Sequence, residues 1–402
     1  MIRRVFHLLF WAVMAGLMAQ FVLAGTPPLE YQDQIIPVAG TERKVRVPAG
    51  YRLELLTDRL KRPRLLSFAP NDELFIGSRS GEIYRLKPPY NDPTVLLRLD
   101  DYPHSVALRP HEILIAQTNG LYGAPYEPGQ EAIPPNTVRL MARLPGGGGH
   151  ISRTVRVGPD DRIYLSLGIS HNCSDQYLDA SYPFDARRGG VLVLREDTNP
   201  FRWETYASGL RNPVGFDWDP STGVLYASNN GPDHLGYDQP PEYFARLDPG
   251  SFHGMPWFQY DGARLQRDSC ISSQPPRPLR DVSVPVATFP ARNAPMAVAF
   301  MPLSIRDSRL RGDAIVALHG SWATRPSGGF WGANSTRRVP KVVAVRFSEG
   351  TAQRVDDLIT GFQLPDGERW ARPVGVVVGG DGTVYFTSDS EANALFCLRP
   401  SK

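Results

Sequence analysis

One pattern recurs along this chain and constrains its fold more than any other: an apolar run, a tight turn and a second apolar run. It is plainest in residues 146–168, GGGGHISRTVRVGPDDRIYLSLG, where the alternating stretch 154–157 passes through a Gly-Pro-Asp-Asp turn into the apolar stretch 163–167. The same unit is legible at 65–77, 105–116, 213–227 and 374–386, and with a longer turn at 297–318. Apolar alternation bounded by turn residues is a strand signal, and six such hairpins spaced tens of residues apart predict radial repetition. A propeller blade buries both faces against its neighbours and so needs a closed ring. The expectation is an all-β chain: a six-bladed β-propeller of four-stranded antiparallel blades over residues 47–402, with long loops on one face. A β-sandwich competes, but does not account for the recurring turn. The early alternating stretch 51–56 is placed to finish the last blade beside 394–398, which would remove a free sheet edge. Residues 25–46, with Pro27, Pro28 and Pro37, read as an irregular lead-in.

Glycine (37) and proline (38) are abundant for 402 residues, which favours short strands and turns over long helices. Arg3 and Arg4 supply two of the net +3 charge, so the balance calls for no nucleic acid or other polyanionic partner. These arginines precede an apolar stretch, 8–23, and the small residues Ala24 and Gly25, the layout of a secretory signal over residues 1–24. Export is expected, to the periplasm or as a secreted protein, with membrane contact only through this segment if it stays uncleaved. Three cysteines in an oxidising compartment allow one disulfide. Cys173 and Cys270 lie in long irregular stretches that a staple would hold, whereas Cys397 sits in an apolar strand. There is no CxxC pair and no HExxH, so zinc and c-type haem find no support. Asn172 and Asn334 head N-x-S/T sequons.

The residues able to do chemistry gather at one position of the repeat. His150 stands on a glycine tract just before its copy, where imidazole can accept a hydroxyl proton near neutral pH; taken alone it is also compatible with an ordinary loop histidine. Arg211 and Asn212, in GLRNPVG, offer a planar fork for carboxylates and an amide beside it, or else a turn with a surface arginine. The stretch 229–242, NNGPDHLGYDQPPE, presents carbonyls on a Gly-Pro turn with carboxylates and amides, the hard oxygen ligands that calcium takes, though such loops are also simply solvated. His104, His319 and Arg372 fall near the same end of their copies, so a propeller would bring all of these around one central pocket.

Taken in order, GGGGHISRT, SGLRNPVGFDW, the NNGPD…PPE loop, RGDAIVALHGSW and RPVGVVVGGDGTVYFTSD resemble the soluble pyrroloquinoline-quinone-dependent sugar dehydrogenases, the aldose and sorbosone dehydrogenase-like branch above all. The resemblance runs from about Val47 to the C-terminus. It implies a quinone at the mouth of a central channel and oxidation of a sugar or related alcohol or aldehyde, with His150 as the catalytic base. Arg211 and Asn212 would hold the quinone's oxygens, with His104, Ser321 and Arg372 as further cofactor contacts. The carbonyls of Gly231 and Pro232 would hold calcium, and Asp238 and Glu242 would suit a second, structural calcium. His104, Ser321 and Val374 stand where the glucose-oxidising members carry glutamine, lysine and a second arginine. No cytochrome motif is present, so electrons would pass to a separate acceptor, a quinone or a cytochrome. The alternatives are a calcium-dependent propeller lactonase, which would place acidic and amide side chains at several blade starts, and a non-catalytic ligand-binding propeller.

Overall fold

The computed structural model describes residues 27–307 and 309–401, so the signal segment expected over residues 1–24 lies outside the described residues. Six antiparallel sheets form the blades of a propeller. Their innermost strands are Pro63–Phe68, Ser105–Arg109, Val155–Val157, Phe216–Trp218, Pro295–Phe300 and Pro373–Val378, and each heads a blade, numbered one to six in that order. Five blades have four strands. Blade three gains a fifth where Ser251–Phe252 runs parallel to its outer strand, Arg202–Ser208.

The ring closes as alternation in the sequence predicts. Tyr51–Thr57 pairs antiparallel with Ala394–Pro400 as the outer strand of blade six, so the two ends of the domain share one sheet. The hydrophobic clusters lie between blades rather than within them. Ala107, Leu114 and Leu121 of blade two pack on Val155, Ile163 and Leu165 of blade three, and Leu66 and Ile76 of blade one meet Val377 and Leu395 of blade six. A blade removed would therefore expose an apolar face on each neighbour, which is why the repeats need each other.

Two expectations are corrected. The lead-in is not irregular: Tyr31–Val38 and Thr41–Pro48 form a hairpin whose Ile36, Val38, Val45 and Val47 join the core beside Leu358, Ile359 and Phe362. Its alternation of Val45 and Val47 with Lys44 and Arg46 is a half-buried strand pattern that the prolines mask. The stretch after Asn229 is not loop throughout either, because Glu242–Leu247 is the third strand of blade four. Among the described residues, no helix is long and apolar enough to cross a membrane.

Candidate functional site

In each blade the inner strand begins where the second strand ends, as Pro63 faces Ser78, Pro295 faces Leu318 and Pro373 faces Ser388. The residues just before inner strands and just after second strands therefore meet on one rim. His104, His150, Arg211 and Arg372 belong to the first group, and Asn230, His319 and Asp389 to the second.

His150 is fixed by its backbone neighbours. Its Nδ1 lies 2.6 Å from the carbonyl of Ile169, and since a carbonyl only accepts, Nδ1 carries the proton and Nε2 keeps a lone pair. Burial, then the charge of Arg211, lowers its pKa to about 4, so the ring is neutral at physiological pH. Two glycines make room for it. Gly148, at φ +81°, could not carry a Cβ without meeting the backbone of Ser170 at 2.7 Å. At Gly168 a Cβ would fall 2.5 Å from Asn212 Oδ1 and 2.7 Å from His150 Cβ, so this residue is what lets the imidazole and the amide lie side by side.

Arg211 is buried and held like a clamp. Its Nε donates to the carbonyl of Asn172 and an Nη to Asn172 Oδ1, both at 2.9 Å, while Asp233 lies 3.5 Å away. The same Asn172 Oδ1 accepts from the Asp233 N–H at 2.7 Å, tying the blade-three loop to the 230–241 loop. The disulfide Cys173–Cys270 forms as expected, next to Asn172, and Cys397 is a buried free thiol. Asn212 offers its side-chain amide, which takes no hydrogen bond among the described residues, while its own N–H donates to Asn229 Oδ1.

Gly231 and Pro232 are buried, and among the described residues no donor reaches either carbonyl. Two consecutive buried carbonyls that no donor reaches offer the hard oxygen ligands a cation takes, so the residues present fit the calcium that the sequence resemblance implies. Beneath them Glu242 accepts from the Gly231 N–H, and burial raises its carboxyl to about 7. Asp238 is elsewhere: it is exposed and pairs with Arg338 at 2.7 Å. Asp238 and Glu242 thus have separate partners, because Glu242 opens a buried strand while Asp238 sits on a solvated loop.

The opposite side of the rim holds a buried network. Asp389 receives Arg64 at 2.5 Å and His319 Nε2 at 2.7 Å. Burial would raise Asp389, but His319 and Arg64 outweigh it and hold the carboxyl well below its usual range. Burial lowers His319 to about 4; neutral, it donates to Asp389, whose permanent counter-cation is Arg64. His104 is fully buried behind this network, with Nδ1 donating to the Arg153 carbonyl at 3.0 Å and Nε2 lying 3.4 Å from Arg64. Both ring nitrogens are taken, which makes His104 a wall residue and not the cofactor contact expected. Ser321 is likewise turned inward, bonding its own loop at Ala323 N and O. Arg372 braces the rim, donating to the carbonyls of His319 and Gly320, each at 3.0 Å.

Sequence reasoning missed Arg64, Asn172, Asp233 and Asp389. Arg64 and Asp389 had a usable signal, since they occupy the repeat positions of His104 and His319. Asn172 had none beyond its place beside Cys173.

The TrAA12-like family matches residues 45–251, just over half of the chain. Among solved structures, the iodide structure of the Trichoderma reesei Carbohydrate-Active Enzymes family AA12 protein superimposes with a TM-score of 0.74 at 18% identity, covering 91% of this chain and 98% of that one. The holo form of the pyranose dehydrogenase PQQ domain from Coprinopsis cinerea gives 0.69 at 19% identity, covering 94% and 99%. The soluble aldose sugar dehydrogenase of Escherichia coli, in its apo form, gives 0.64 at 17%, covering 87% and 99%. At these identities what is shared is the fold. The resemblance drawn from the ordered motifs holds.

Proposed function

The chain belongs to the TrAA12-like family, and on that premise we propose that it is an exported oxidoreductase. It oxidises a sugar or related alcohol or aldehyde, with pyrroloquinoline quinone and calcium as its cofactors and a separate quinone or cytochrome as the final electron acceptor. The single observation that carries this reading is the state of His150: proton on Nδ1, lone pair on Nε2, with the Asn212 amide across Gly168 and the charge of Arg211 acting on the ring.

When bound, the quinone would supply the hydride acceptor, and the carbonyls of Gly231 and Pro232 would hold calcium, which would supply positive charge. His150 Nε2 takes the proton of the substrate hydroxyl. Its low pKa keeps it ready for this throughout the physiological range, at the cost of weaker basicity, and the Ile169 carbonyl steadies the imidazolium that forms. Arg211, its conformation set by Asn172, presents fixed positive charge to anionic oxygens. Asn212 adds a neutral donor and acceptor. Burial of Arg211 and Gly231 limits water, so these charges act in a medium of low dielectric.

A lactonase reading would want carboxylates or amides at several blade starts. The blade starts here hold no carboxylate and are mainly basic, with Arg64, His104, His150, Arg211 and Arg372 beside the amides of Asn212 and Asn293. The deciding experiment is a spectral titration of the apo-protein with pyrroloquinoline quinone and calcium, expected to saturate at one quinone per chain and to reverse on chelation. No binding would favour the non-catalytic propeller.

A further inference from the structure

Beside the central rim, between the loop that follows blade five's second strand and the segment leading into blade six, lies a cavity of about 420 Å³. Arg337, Arg369 and Arg372 line it. Among the described residues, no carboxylate oxygen comes within 4.0 Å of a side-chain nitrogen of any of the three. Most other buried arginines of this chain differ: Arg64 has Asp389, Arg346 has Asp313 and Asp356, and Arg292 has Asp233. Arg369 is only 9% exposed and is steered by neutral partners, Gln363 Oε1 at 2.9 Å and the Arg338 carbonyl at 3.0 Å. The Nε of Arg337 is buried without any hydrogen-bond partner. Arg372 feels Asp389 and Glu391 without touching either, and neighbouring cations with an orphaned buried donor stay costly unless an anion contacts them directly. Burial, with Arg372 and Arg337 beside it, brings Arg369 down to about 10.

The rim of the cavity has the opposite chemistry. Asp366, Glu368 and Glu391 are exposed there, and their oxygens can accept from hydroxyl groups. A ligand that satisfies both layers carries a carboxylate at one end and hydroxyls along its body. A bare polycarboxylate would be repelled by the rim, and a neutral sugar would leave the arginines unanswered. We propose that this pocket binds an acidic sugar, a uronate or aldonate, with its carboxylate on Arg337, Arg369 and Arg372. The inference goes beyond the sugar-oxidation reading: it gives a ligand class to a second pocket, lined by none of His150, Arg211 or Asn212, and shares only Arg372 with that reading.

The test uses the full-length protein without quinone, titrated calorimetrically at low salt with sodium glucuronate, sodium gluconate, glucose and propionate. Glucuronate or gluconate should bind at least about tenfold more tightly than glucose or propionate, since a charged hydrogen-bonded pair is at stake. Whichever of the two binds more tightly identifies the ring or open-chain form. Arg337→Ala should weaken that binding by about tenfold or more while its melting temperature stays near the parent's; Arg337→Gln serves if the alanine variant unfolds. Equal affinity for glucose, or unchanged glucuronate and gluconate affinity in the folded Arg337 variant, overturns the proposal. So does competitive displacement of the sugar acid by pyrroloquinoline quinone, which would assign the arginines to the cofactor. Sugar-acid binding by a protein that takes up no quinone would leave the pocket standing and the redox reading fallen.

Discussion

The carbonyl of Ile169 holds the Nδ1 proton of His150 at 2.6 Å, and that one bond decides which nitrogen can act. A general base contributes about 10²–10⁴ in rate, so His150→Ala, reconstituted with quinone and calcium, should lose that much dye-reducing turnover. The pH dependence follows from the lowered pKa. Protonated His150 cannot accept a proton, so activity should be level from neutral pH downward and fall only as the pH approaches about 4. An acid limb near 6.5 would mean that the ring is not buried beside Arg211 as described. Unchanged turnover in the variant would remove His150 from the mechanism.

Asn172 takes two bonds from Arg211 and one from the Asp233 backbone, so it sets the position of a group it does not resemble chemically. Asn172→Ala frees Arg211 to close on Asp233. Quinone affinity should drop about tenfold, the worth of one hydrogen bond to a charged group, with little change in far-UV circular dichroism. Asn172→Asp keeps the acceptor but adds negative charge against Arg211, offsetting the cation that disfavours the His150 imidazolium. Its acid limb should therefore move to higher pH. If both variants keep the parent's affinity and pH profile, the clamp has no functional role.

How much of this was legible beforehand depends on whether a residue's role is set by the repeat or by a loop. The blades were readable because apolar alternation and turn residues are local, and the closing strand Tyr51–Thr57 followed from the same periodicity. Arg211 and Asn212 were readable because they precede an inner strand, where repeat geometry fixes direction. Ser321 and Asp238 were not, since they sit in long insertions whose conformation comes from distant partners such as Arg338. His104 was placed on the right rim, but a sequence does not show that Arg64 and Arg153 would occupy both its nitrogens.

The Cys173–Cys270 bond joins the loop that carries Asn172 to the stretch after Gly254, across 97 residues of chain. His234 lies beside it, donating to Asp268, which also accepts from the Cys270 N–H. Replacing both cysteines by serine should lower stability by about 2–4 kcal/mol, read by urea denaturation. Because the link supports a loop and not a blade, the loss should appear first as faster proteolysis within 168–188 and 255–285. Uniform protection across those segments, with the parent's denaturation midpoint, would show that the loops hold themselves.

Gly168 offers the sharpest separation of site from scaffold. A methyl group there would sit 2.5 Å from Asn212 Oδ1 and 2.7 Å from His150 Cβ. The Asn212 amide can rotate away, but a Cβ moves only with its backbone, so the displacement falls on His150. The φ of Gly168 is not in the left-handed region, which means that alanine brings no backbone strain of its own. Gly168→Ala should then still fold, with the overpacking costing about 1–3 kcal/mol of stability. Misplacing a reacting group by about 1 Å costs on the order of 10²-fold, so kcat/KM should fall by about 10–100-fold. The loss should lie mainly in kcat if the base moves, and in KM if only Asn212 yields. Parent-like kinetics in a folded Gly168→Ala would show that the neighbourhood of His150 tolerates a shift the proposed chemistry does not allow.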